Sequence, residues 1–236
     1  MRQLLDDVLI VYRQEADSLL TITAPAAILG PVFVIIAAAS PAAALASVPV
    51  LLLLYLATYA TCVRATGAML RNLSPEPGRS FLDVVLSTPA VLIVAIAPFL
   101  LLTVVMCGAL FIAEAGFAPV GAAMGLIGLA VAAHWLTQHP YDYSLLLAFD
   151  VGTDEAVRAG GQLAIVARRE TLLLLGVLAG PLAAVALVAL WAGIVLGQPA
   201  GAGIFLVALA LWLPFPAIAL TFGCDRLVHE PAAQPS

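Results

Sequence analysis

Few residues in this chain could do chemistry. His134 is the one imidazole embedded in an apolar run, and in a membrane helix such a ring could ligate the metal of a haem or chlorin. It has no flanking cofactor pattern. The residues around it favour a polar group at an interface, hydrogen-bonded to Tyr141 or to a carbonyl. Cys62, Cys107 and Cys224 are scattered, without CxxC or Cys/His spacing, and read as reduced packing thiols rather than ligands or nucleophiles. No HExxH, GxSxG, P-loop or paired-carboxylate arrangement occurs, and Glu114 reads as a solvated loop acid. We therefore expect no catalytic residue, no metal site and no enzymatic activity. Tightly held lipid is a better expectation than pigment or haem.

The elements that must carry these residues are membrane helices. Of 236 residues, 64% are hydrophobic and 10% charged, where a soluble domain carries about 25% charged. Mean hydropathy is +1.13. The sequence has no lysine and nine arginines, and most of the acids behind its net charge of −5 sit beside those arginines in short interfacial segments. No nucleic-acid partner is expected. The N-terminus is acidic and amphipathic, unlike a signal peptide, and is expected to be retained.

Apolar spans are predicted at about 19–39, 43–63, 89–113, 119–135, 171–196 and 204–222, giving one six-span domain over residues 1–222 and a polar, Pro-rich, partly disordered tail over 223–236. Residues 1–18 predict an interfacial helix with Leu5, Val8, Leu9, Tyr12 and Ala16 on its apolar stripe. Four acids against two arginines suit packing on the protein itself better than on anionic lipid. Tyr55 and Tyr59 suit an interfacial aromatic belt. Gly121 and Gly125 form a GxxxG, followed by Gly128, which would allow close helix approach. The segment 144–149 is apolar but too short to cross, and is expected to run along the interface.

Residues 151–170 predict a second surface helix. Thr153 is its expected N-cap, Asp154 and Glu155 meet the positive end of its dipole, and Arg168 and Arg169 meet the negative end. Ala156, Val157, Gly160, Leu163, Ala164 and Ala167 make its apolar face, with Arg158 and Gln162 off it.

With the N-terminus inside, the turns near Ser40, Glu114 and Gly197 fall outside and contain no basic residue, so all nine arginines lie inside, among them Arg64, Arg71, Arg79, Arg158, Arg168 and Arg169. That arrangement predicts three hairpins with both termini cytoplasmic, and a basic set made only of arginine fits a GC-rich bacterial genome and hence a bacterial inner membrane. No span carries a charge in its middle, which argues against ion-coupled transport.

Two stretches, GTDEAVRAGGQLAIVARRETLLLLGVLAG and YLATYATCVRATGAMLRNLSPEPGRSFLDVV, together with the six-span plan resemble uncharacterised six-span bacterial membrane proteins grouped with the membrane domain of glycerophosphoryl diester phosphodiesterases. The resemblance implies an all-α, six-span domain. These residues contain no counterpart of that family's soluble catalytic domain, so phosphodiesterase activity is not implied. The expected role is a structural or accessory subunit, or an envelope and lipid homeostasis component, partnered by the bilayer and other membrane proteins. The alternative is a permease or channel for a small uncharged or lipidic solute.

Overall fold

The computed structural model describes residues 2–229, apart from the side chains of residues 41, 96–99, 113, 114, 118, 122 and 129. The chain runs through α1 (Arg2–Gln14), α2 (Ala16–Ala37), α3 (Pro41–Leu70), α4 (Pro77–Leu86), α5 (Thr88–Glu114) and α6 (Ala118–Gln138). A π-helical turn, Ser144–Ala148, precedes α7 (Thr153–Val166), α8 (Arg168–Leu196), α9 (Gln198–Trp212) and α10 (Pro214–His229). No strand occurs among the described residues. Four single helices, α2, α3, α6 and α8, are long and apolar enough to cross a membrane, as is the run Gln198–His229, while α4 with the start of α5, bent by 71°, makes a sixth candidate. This is an all-α, multi-pass membrane protein.

Neighbouring helices pack as a series. α6 lies along α5, α5 on α3, α3 on α2, α2 on α9 and α9 on α8, while α10 packs on α3 and α1. The main core sits at the end where α1, the second half of α3, the π turn and α10 meet; Leu19, Val63, Tyr141, Leu174, Ile218 and Leu220 are fully buried there. On α1 the buried residues are Leu4 and Val8, Leu9 is exposed, and Tyr12 stacks on Phe215 at 4.2 Å. α1 thus packs on the protein, with its stripe turned slightly from the expected one.

Several expectations need correction. Tyr55 faces the bundle rather than the lipid, 9% exposed and donating from Oη to the carbonyl of Leu206 on α9 at 2.6 Å. A Cβ at Gly30 on α2 would stand 2.7 Å from that oxygen, so the glycine gives the phenol its room. A phenol that finds a carbonyl can be buried as cheaply as an apolar ring. Tyr59 likewise packs inward, edge-on to Tyr143 with centroids 5.7 Å apart.

α3 runs on past Val63 to Leu70, with Arg64 held by carboxylate partners inside the fold. It then closes at Asn72, with φ 56°, through Asn72 N–H to Met69 O and Leu73 N–H to Ala68 O. Arg168 and Arg169 do not end the 151–170 helix. α7 stops at Val166, Ala167 leaves helical geometry, and the two arginines open α8. Their contact with the dipole is therefore the unfavourable one, worth a few tenths of a kcal/mol at exposed positions, and Glu170 in the same turn offsets it.

Thr153 is the first helical residue rather than the cap, which is Gly152. Residues 223–229 continue α10 instead of beginning a tail, and Pro214 and Pro216 fall in its first turn, where no N–H is required. The rest of the expected tail, 230–236, lies outside the described residues. Glu114 is the last residue of α5, and its side chain is also outside them.

Candidate functional site

The polar groups of the molecule converge where α3, α4, α7, α8 and α10 surround residues 139–150. Arg64 and Arg71 are seven residues apart, two helical turns, and share one face of α3. Arg64 donates from Nε to Asp83 of α4 at 3.1 Å, and from an Nη to both the Leu147 carbonyl at 2.8 Å and the Asp150 carboxylate. Arg71 donates to the Ala148 carbonyl at 3.1 Å and lies 3.6 Å from Asp150. The two arginines thus cap the last carbonyls of the π turn, which have no helical partner, and Asp150 bridges them.

Asp150 itself is left-handed, with φ 56°, and Val151 N–H closes the turn on Leu145 O at 3.0 Å. Segment 144–148 is wholly buried and therefore does not lie along the interface as expected. It approaches α3 so closely that a Cβ at Gly67 would stand 2.6 Å from Ala148 Cα. Ser144 and Thr221 hydroxyls, 3.2 Å apart, tie it to α10, and Tyr141 and Thr171 hydroxyls, 2.9 Å apart, tie it to α8.

Arg79 joins Arg64, Arg71, Glu76, Ser80 and Asp83 around a cleft of about 360 Å³. Its charges nearly cancel. Arg158, Arg168 and Arg169 are exposed and take no part in the ion pairs found among the described residues. A further pair, Arg226 to Asp7 at 2.6 Å, fastens the end of α10 to α1.

On the other side of the same segment, Asp142 is 1% exposed. Nδ1 of His139 lies 3.1 Å from Oδ2 but outside hydrogen-bond geometry, and neither carboxyl oxygen has a partner among the described residues. Burial pushes Asp142 up to about 7 and His139 below its usual value. Trp135 stacks on His139 at 4.4 Å.

His134 is brought to neither cluster. It is exposed on α6, with Nε2 3.0 Å from the Gln138 amide nitrogen, so its contact is a side-chain amide rather than Tyr141 or a carbonyl. Among the glycines of α6, Gly121 is buried, and a Cβ at Gly125 would be 3.9 Å from Ala109. At Gly128 it would be 2.5 Å from Val105, so the tight approach to α5 falls on the third glycine. Among the described residues no group of three or more His, Cys, Asp or Glu side chains is placed to hold a metal. Cys62 and Cys224 are fully buried thiols.

The sequence places His139, Tyr141 and Asp142 together at the end of a span, but it does not reveal Asp83 and Asp150 as partners of Arg64. The available signal is Arg64 and Arg71 on one helical face, together with acids bracketing a short apolar run. No family model matches the chain, and no curated protein or solved structure is similar enough to be a match.

Proposed function

We propose that this chain is a non-catalytic, multi-pass component of the bacterial inner membrane that works through partner helices or lipids, as an accessory subunit or an envelope and lipid homeostasis factor. In this reading six spans form three hairpins with α5, rather than the bent α4–α5 pair, as the third span, α1, α4 and α7 lie at the cytoplasmic interface, and both termini are cytoplasmic. The resemblance to six-span bacterial membrane proteins supports the same plan.

The observation that carries the proposal is the exposure of α8. Gly176 and Gly180 meet nothing within 4 Å of where a side chain would begin, and Leu173, Val177, Leu187, Val188, Leu190 and Trp191 are exposed. Small residues one turn apart on a bare membrane helix suit a second helix or lipid chains. The arginine clamp supports a structural role as well, because its donors are spent on backbone carbonyls and carboxylates of the same chain.

The test pairs solute flux into proteoliposomes with the native mass of the mildly solubilised particle. The expected result is no flux of charged solute and a particle heavier than one chain, carrying another membrane protein or tightly held lipid. Saturable flux by a lone, lipid-stripped monomer would replace this reading with a permease.

A further inference from the structure

The Asp142 carboxyl has given up hydration without gaining donors, an arrangement that a neutral acid tolerates far better than an ion. What covers it is α7. A Cβ at residue 160 would collide with Asp142 Oδ1, so Gly160 is what lets that helix close over the carboxyl. We propose that Asp142 and His139 form a proton-binding site beneath α7, with the carboxyl protonated while α7 is seated and ionised when α7 lifts and admits water.

The construction of α7 suits a lid. Its fully buried face is the small residues Ala156, Gly160 and Ala164, with Ala167 just beyond and Val157 and Leu163 only half-buried at its edges, so it is seated with less apolar burial than the spans. It is flanked by non-helical positions on both sides: left-handed Asp150 and extended Gly152 before it, and Ala167 after it.

Few charged or titratable groups bear on the site. The turn after α6 contributes His139 and Tyr141, and the residue before the π turn contributes Tyr143. α7 presents no titratable group on its seated face and turns Arg158 to solvent. α8 offers the Thr171 hydroxyl, already bonded to Tyr141, with Glu170 exposed beyond it.

The sign follows from burial. The seated form holds Asp142 with its affinity for protons raised, to a pKa of about 7, while an open, hydrated carboxyl has the ordinary value. Rising pH therefore favours the open form from the ordinary carboxylate range up to about 7, and the effect levels off above that. His139, lowered by the same burial, acts in the opposite sense and only below its usual value.

The test is amide hydrogen exchange over residues 153–166 of the full chain in a defined bilayer disc, corrected for the intrinsic pH dependence of exchange. Protection of α7 should fall roughly tenfold or more between about pH 5 and about pH 8, while α3 stays unchanged. Asp142→Asn should keep α7 protected at both ends. Gly160→Ala, which wedges the lid open, should lose protection and its pH dependence together, and serves if the Asn variant does not fold. Native protection that does not change with pH overturns the proposal. So does weaker protection in Asp142→Asn than in the native chain at the alkaline end, which would make the ionised carboxylate a stabilising partner.

Discussion

Single polar atoms decide how this bundle holds together. Tyr55 is the clearest case, a hydroxyl from α3 spent on an α9 carbonyl in space left by a glycine of α2. Tyr55→Phe removes one hydrogen bond and leaves Leu206 O to its own helix, so thermal unfolding should show a loss of about 1 kcal/mol. Gly30→Val should cost more, about 1–3 kcal/mol, because it must displace both the phenol and Leu206. Arg64 answers a larger demand. Its replacement by Met strands Asp83 and the Leu147 carbonyl and leaves Asp150 only Arg71, and should destabilise by about 2 kcal/mol after allowance for partial exposure. Arg79→Met, at a residue with no such partners among those described, should be close to neutral in the same melt.

At the scale of elements, the sequence shows what kind of helix stands where better than it shows where each one stops. Long uncharged runs leave little choice but spans, and the four-residue recurrence of Ala156, Gly160 and Ala164 is the face that α7 buries, with Ala167 buried just after it. Leu163 is half-buried against the core and Arg158 exposed. Leu163→Asp should therefore lower the detergent melting temperature clearly more than Arg158→Gln, and equal effects would mean that α7 does not pack.

Boundaries are less legible in the sequence because they depend on distant residues. The apolar span ends near Arg64, yet α3 runs on to Leu70, and the carboxylates that pair with Arg64 lie 19 and 86 residues away. The π turn at Ser144–Ala148 is likewise held by arginines on another helix, and its sequence, SLLLA, is only a short apolar run. The break at Ala167 has no glycine or proline to announce it, so Arg168 and Arg169 fall naturally, and wrongly, at the end of the preceding helix.

For the molecule as a whole, the positions of the charges set the orientation to be tested. Cys62 and Cys224 are too buried to report on either side, so exposed reporters are needed: Ala115→Cys in the turn after α5 and Val228→Cys near the end of α10, in a Cys107→Ala background. An impermeant thiol reagent applied to intact cells should label the first and spare the second; the reverse pattern would invert the proposed topology. The clamp adds an aspect of timing. A ribosome emits Arg64 long before it emits Asp150, so during insertion the arginine stands as a bare positive charge, the state in which topology is decided. Asp83 follows 19 residues later and Asp150 86 residues later, so the charge is paired in two stages and the clamp closes only with the second. On the proposed topology the same guanidinium serves first as an address and then as a bolt, and Arg64→Met should impair the bolt while Arg71 and Arg79 keep the address.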